Sequence, residues 1–150
     1  MDKNEIERRI ERFLAVCKEN GAKITAQRLE IFREIAGSEE HPHAELIHRA
    51  VSRRMPTISL DTVYRTLWWL TDLGMAVPLG VSRDSIRFDA NLKRHHHFIC
   101  LQCGLMRDFQ SEELDRIKAP ASITAIGSIE GAQIEIKGIC HKCSLKKQRE

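Results

Sequence analysis

Four of the five cysteines fall into two matched pairs, Cys100-Leu-Gln-Cys103 and Cys140-His-Lys-Cys143, with 36 residues between them. Two intervening residues let both thiolates of a pair turn onto one ion, and Gly104 eases the first of these tight turns. Four thiolates fill the tetrahedral shell of Zn²⁺ and leave no open position, so the pattern marks a structural zinc in preference to a redox dithiol or disulfides. The staple ties the end of the chain to the middle of its second half. That constraint matters because the half concerned is too small to bury much core by itself, and segments of that size need a staple or a partner subunit. The fifth cysteine, Cys17, recurs at helical spacing with Ile6, Ile10, Phe13 and Leu14, which places it among core side chains as a buried thiol.

Composition narrows the class. The 150 residues are 42% hydrophobic and 30% charged, as in a globular protein. No apolar run approaches the roughly 18 residues of a spanning helix. The start, Met-Asp-Lys-Asn-Glu-Ile-Glu-Arg-Arg, lacks the apolar core of a signal peptide, so the expected location is the cytoplasm, with no membrane partner. A formal charge of +3 permits nucleic-acid binding without requiring it.

The apolar pattern predicts an α+β chain in two parts. A first helix stops at Asn20-Gly21. A second starts at a Thr25 cap and runs to about Glu34, with Leu29, Phe32 and Ile35 inward. A third covers Ala44 to Arg54, and Ser59 caps a fourth from Leu60 to Leu73, stopped by Gly74. Met75 to Val81 and Ser85 to Asp89 read as strands around the turn Ser82-Arg83-Asp84. Short helices followed by a hairpin give the order of a winged helix-turn-helix, assigned to residues 1–90. After the polar hinge Asn91–Arg94, residues 91–150 read as a small α/β domain. Its strands are expected at His96–Leu101, Leu105–Phe109, Ile123–Ile129 and Gln133–Ile139, with one helix from about Glu112 to Lys118.

A second cluster precedes the first cysteine pair: Asp89, then His95-His96-His97. Alternation on a strand sends His95 and His97 to one face and His96 to the other, so His95 and His97 make a two-toothed metal ligand. Asp108 falls on the partner strand of the expected hairpin and can return alongside them. Asp89 precedes the hinge, and His41 lies in the loop before the third helix. His43 and His96 are expected in solvent or supporting positions.

The segment Ile58-Ser-Leu-Asp-Thr-Val-Tyr-Arg-Thr-Leu67, together with Gly74, Arg87-Phe-Asp89 and His95-His-His-Phe-Ile-Cys-Leu-Gln-Cys-Gly104, closely resembles the ferric uptake regulator family. The likeness runs from the first helix to Cys143. It implies a winged-helix reader joined to a dimerisation domain, and a structural zinc on Cys100, Cys103, Cys140 and Cys143. It also implies a regulatory ion bridging the two domains on His41, Asp89, His95, His97 and Asp108. Imidazoles and carboxylates without thiolate suit Fe²⁺ or Mn²⁺. Asp at position 108 is typical of the family's peroxide-responsive branch, where iron sensors more often carry Glu. Gly131, Ala132 and Gln133 also stand where iron sensors often place a histidine. Pro120 departs from the pattern by cutting short the longer helix usual there, which bears on the dimer interface.

The resemblance implies a homodimeric repressor of palindromic operator DNA. Tyr64 and Arg65 would meet base edges, and Lys23, Arg28, Arg54, Arg83 and Arg87 would meet phosphates. Trp68 and Trp69 are adjacent, so they cannot share a helix face. In the peroxide branch a ligand histidine is oxidised, and the matching positions are His41 and His95. No small-molecule substrate is expected beyond metal ions and hydrogen peroxide. The rival readings are an iron sensor with the same machinery, a small metalloenzyme at the histidine–carboxylate site, and a zinc-ribbon interaction module without metal response. The enzyme reading lacks a motif for a positioned nucleophile or general acid.

Overall fold

The computed structural model describes residues 2–80, 86–129 and 131–147. It divides after Leu92 into two compact units.

The first unit carries four helices, α1 (Lys3–Glu19), α2 (Ala26–Ala36), α3 (Ala44–Ser52) and α4 (Leu60–Asp72), then the antiparallel strands β1 (Val77–Leu79) and β2 (Arg87–Asp89). The caps are local chemistry. Asp2, Thr25 and Ser59 each accept a backbone N–H of the first turn with the side chain, satisfying donors that a helix start leaves unpaired. Gly21 and Gly74 take left-handed backbone just beyond the ends of α1 and α4, where a Cβ would be strained. The core gathers one face of each helix: Phe13 and Cys17, then Phe32 and Ile35, then Ile47 and Val51, then Val63, Leu67 and Leu70. Phe13 stacks on Phe32 with ring centroids 4.5 Å apart and meets Trp69 edge-on at 6.1 Å. Trp68 lies on another face and packs edge-on against Phe88 of β2 at 5.8 Å. This helix order with a terminal hairpin is a winged helix-turn-helix. The turn expected at Ser82–Asp84, and with it Arg83, lies outside the described residues.

The second unit is a three-stranded sheet with strand order β4-β3-β5, built from β3 (His96–Cys100), β4 (Met106–Phe109) and β5 (Glu135–Gly138). β3 and β4 are antiparallel with His97 opposite Asp108, while β5 runs parallel to β3 on its other edge. Short helices α5 (Glu112–Asp115) and α6 (Ala121–Thr124) lie between β4 and β5, and α7 (His141–Lys147) closes the unit.

One expectation is corrected here. The strand predicted for Ile123–Ile129 is absent: Thr124 ends α6 and residues 125–129 are irregular. Its run of β-branched residues finds no neighbouring strand, and Ile126 is 86% exposed, so propensity without a ladder partner does not make a strand. Of the two settings expected for His96, solvent or support, the structure shows the second: the ring is 1% exposed.

Candidate metal centres

The cysteine centre belongs wholly to the second unit. Cys100 ends β3, the turn through Cys103 closes with a Gly104 N–H to Cys100 carbonyl bond of 2.9 Å, and Gly104 takes φ 70°. Cys140 and Cys143 come from the start of α7, where the Ser144 N–H bonds the Cys140 carbonyl at 3.0 Å. The four sulfurs lie within 4.8 Å of one another, and all four cysteines are free thiols. Cys103 Sγ and Cys140 Sγ are 3.7 Å apart. A tetrahedron with metal–sulfur bonds of about 2.3 Å has edges of about 3.8 Å, so the donors fit Zn²⁺. The Cys140 N–H donates to Cys100 Sγ at 3.2 Å. That bond, with further N–H donation from Cys103, lowers the Cys100 thiol to about 6, so one sulfur of the cluster is ready as thiolate. Hydrogen bonding with Cys140 and Cys103, reinforced by burial, pushes Cys143 up to about 12. Metal uptake therefore has to displace a proton from Cys143.

Both units carry histidine and carboxylate side chains of this kind. In the second unit His95 and His97 face Asp108. Nε2 of His95 and Nε2 of His97 are 3.0 Å apart, and they lie 3.6 and 3.3 Å from Asp108 Oδ1. His95 Nδ1 sits 2.6 Å from the Lys93 carbonyl, a contact that only a protonated Nδ1 satisfies. In the neutral ring Nε2 then carries the lone pair, as a metal-binding imidazole requires. Both rings are buried, at 5% and 1% exposure, and converge on one point with two imidazole nitrogens and a carboxylate.

His96 points to the other face. Its Nδ1 accepts the Ile134 N–H at 3.3 Å, which leaves the proton on Nε2, 3.3 Å from Asp115 Oδ1. Asp115 in turn meets Arg94 Nε at 2.9 Å. Nδ1 is thus occupied, while Nε2 and Asp115 Oδ1 lie close without a hydrogen bond, and His96 sits on the face of β3 away from His97 and Asp108 in a supporting position. Cys100 shares its face by alternation, so β3 separates the two metal chemistries on opposite sides of one strand.

In the first unit His41 and Asp89 are each 2% exposed, with His41 Nδ1 3.4 Å from Asp89 Oδ1. The Asn91 N–H donates to Asp89 Oδ1 at 2.6 Å. His41 has φ 47°, and among the described residues it is the one non-glycine in left-handed backbone. Pro42 bars the ordinary helical region at position 41, and a histidine held at positive φ carries strain of order 1–3 kcal/mol.

The residues expected at DNA fall into two sets. Arg65 projects from the outer face of α4 with 81% of its side chain exposed, one turn from Asp61 at 3.5 Å. Tyr64 is half-buried and its hydroxyl donates to Glu45 at 2.7 Å. Lys23, Thr25, Arg28, Thr62 and Arg65 line one open concavity at the start of α2 and α4. Arg28 lies over the Trp69 ring at 3.9 Å and donates to the Lys23 carbonyl at 2.6 Å. Arg54 instead is tied to Glu30 and Glu34 on α2. Burial pushes the Glu30 carboxyl up, but hydrogen bonds from Arg54 and Arg33 outweigh it and hold the group below its usual range. Arg87 turns onto the loop carbonyls of Glu40 and His41. Sequence reasoning missed that role, because it depends on contacts distant in the chain.

Residues 19–136 match the ferric uptake regulator family. The chain is 36% identical over 141 residues to the peroxide-responsive repressor PerR of Staphylococcus aureus, covering 94% of this chain and 95% of that protein. A PerR structure from Streptococcus pyogenes, described as a basis for peroxide sensing and gene regulation, is 30% identical with TM-score 0.51, over 89% of this chain and 92% of that one. The ferric uptake regulator of Helicobacter pylori shares the fold at TM-score 0.72 and 24% identity, over 93% of each chain. This chain belongs to the ferric uptake regulator family. It is therefore a metal-responsive transcription regulator and not an enzyme, with a PerR-like sequence.

Proposed function

We propose that the chain is a dimeric, metal-dependent repressor of palindromic operator DNA in the cytoplasm, with hydrogen peroxide as its signal. The observation that carries the metal response is the convergence of His95, His97 and Asp108, three donors that are too few to close a shell. His41 and Asp89, a second buried and incomplete donor pair, supply the remainder if one ion takes both sets. Zn²⁺ on the four cysteines is structural, since four thiolates leave no position for exchange. Fe²⁺ or Mn²⁺ suits the mixed nitrogen and oxygen set. By joining the two units, these five side chains would set the spacing of paired recognition helices, which must match half-sites on one face of the duplex. Ile117, Ile126 and Ile136 of the second unit are 54%, 86% and 44% exposed, apolar surface that a second subunit would cover.

α4 would enter the major groove, with Arg65 as the guanine reader and Tyr64 near a thymine methyl. Lys23 and Arg28 would take phosphates together with Arg83, while Arg54 and Arg87 are engaged elsewhere. Arg65→Ala should flatten sequence discrimination at one base pair by about 1–3 kcal/mol. Normal footprints of that variant on a duplex selected from random DNA would place the reader elsewhere.

Fe²⁺ held there would supply one-electron chemistry toward hydrogen peroxide; overall, one peroxide oxygen would go to a ring carbon of a ligand imidazole, the other would leave as water with the displaced hydrogen, and the iron would return to its ferrous state. His41 and His95 are the residues that would gain oxygen, and an oxidised ring can no longer act as a ligand. The peroxide reading is favoured by Asp108 in place of Glu and by the PerR likeness. The test is a gel shift with Mn²⁺, anaerobic Fe²⁺, Zn²⁺ and chelator, repeated after peroxide. Metal-dependent binding, lost on peroxide with Fe²⁺ but kept with Mn²⁺, is expected. Peptide mass spectrometry should then show a gain of about 16 Da at His41 or His95, the mass of one oxygen on a former ligand. Binding that survives peroxide with Fe²⁺ would make this an iron sensor, and binding indifferent to metal would remove the sensing role.

A further inference from the structure

We propose that Arg87 is a positioning residue for the regulatory metal, acting through the backbone of His41 and not on DNA. The inference rests on the reading of His41 as a ligand. Three observations, all within the first unit, carry it. Nη1 of Arg87 donates to the Glu40 carbonyl at 3.1 Å and to the His41 carbonyl at 3.2 Å. The Phe88 N–H donates to the Pro42 carbonyl at 3.1 Å, so β2 holds the loop on both sides of His41. His41 itself stands at φ 47°, a conformation that its own residue type and Pro42 do not choose, so an outside restraint must keep it there.

Alternation along β2 adds the geometry. Arg87 and Asp89 share one face of the strand, and Phe88 takes the other, buried against Trp68. One face thus grips the His41 loop twice: Arg87 by its carbonyls and Asp89 by its ring at 3.4 Å. The guanidinium Nη1, shared between two carbonyls, fixes where the backbone of position 41 lies, and the carboxylate fixes where the imidazole lies. A ligand preset in this way loses less freedom on binding than one on a loose loop, and removal of such a supporting group typically lowers metal affinity about 10–100-fold.

The experiment uses the full-length, zinc-loaded protein and Mn²⁺ alone as the probe, with free Mn²⁺ read by electron paramagnetic resonance in the absence of DNA. Arg87→Met keeps the aliphatic stem and removes the donors. Its Mn²⁺ affinity should fall about 10–100-fold. Introduced into His41→Ala, the same change should alter the affinity less than about threefold, because a group that acts through His41 has nothing left to position. Zinc content should stay at one ion per chain. The salt slope for nonspecific duplex at saturating Mn²⁺ should not change, whereas loss of a phosphate contact would reduce it by about one. An unchanged Mn²⁺ affinity while His41→Ala loses it overturns the positioning role alone, as does an equal loss in both backgrounds or a reduced salt slope. If His41→Ala binds Mn²⁺ as tightly as the parent, the ligand reading fails and takes this one with it. Arg87→Gln, which keeps one amide donor, gives the same comparison should Arg87→Met not fold.

Discussion

Cys100→Ser is expected to empty the zinc site and unfold the second unit while the first stays folded. The reason lies in what each unit buries. Among the described residues, the core of the second unit consists of Cys100, Cys140 and Cys143, with Phe98 and Leu105 packed against them. Outside that cluster, Met106 is the one buried apolar side chain among the described residues of this unit, too little to survive loss of the metal as a core. Structural zinc contributes roughly 10–16 kcal/mol in small zinc peptides, as much as or more than the 5–15 kcal/mol that stabilises a whole domain. Serine offers a hard, short oxygen in place of a thiolate, and Cys100 is the sulfur that accepts the Cys140 N–H at 3.2 Å, so its loss also frees a buried donor. The first unit has its own cluster around Phe13, Phe32, Ile47 and Leu67, each at most 1% exposed, and should keep its helical signal. Metal analysis should give less than one zinc per chain, and amide exchange should show protection retained in residues 2–80 and lost in β3, β4 and β5. A variant that keeps its zinc and its sheet protection would remove the stapling role.

The features legible in the sequence are those set by short-range chemistry. Thr25 and Ser59 cap where they were expected to, because an N-cap needs only its own hydroxyl and the N–H three residues on. The pairing of His97 with Asp108 follows from a hairpin whose turn is marked by Cys103-Gly104, so strand alternation alone brings these side chains to one face. The cysteine pairs were legible for the same reason. What escaped depends on the third dimension. The Ile123–Ile129 run has the composition of a strand, but no neighbour offers it a ladder. Alternation already sets His96 apart from its two neighbours, but nothing near it in the chain shows the Ile134 N–H, 38 positions away, that its Nδ1 accepts. Arg87 reads as a surface cation until the loop carbonyls 46 and 47 residues earlier are seen beneath it. The rotation of His41 into left-handed backbone has no local signal, since Pro42 after it favours an extended conformation instead.

His97→Ala is expected to abolish metal-dependent DNA binding at ordinary Mn²⁺ concentrations while leaving the zinc in place. His97 is 1% exposed, opposite Asp108 in register, and its Nε2 is the nitrogen nearest both His95 and the carboxylate. Removing it takes one of three donors from the second unit's half of the centre. The loss should exceed the roughly 10–100-fold in affinity that follows from disturbing a mere supporting group. The effect on DNA follows from population arithmetic. If the ion raises the binding-competent form from about 1% to about 99%, it must favour that form about 10⁴-fold, and a chain that no longer binds it reads its operator about 100-fold more weakly. Zinc should be indifferent, because position 97 and Cys100 project from opposite faces of β3. This separates the prediction from the first one: there the fold goes, and here only the response. Titration of an operator duplex with the variant, at Mn²⁺ sufficient to saturate the parent, gives the answer directly. If the variant still answers to Mn²⁺ at parental concentrations, the ion lies somewhere other than on His97, and the coupling of metal to DNA must be sought on other residues. If added Mn²⁺ in large excess restores full affinity, the histidine contributes to capture of the ion and the recognition surface of α4 is untouched.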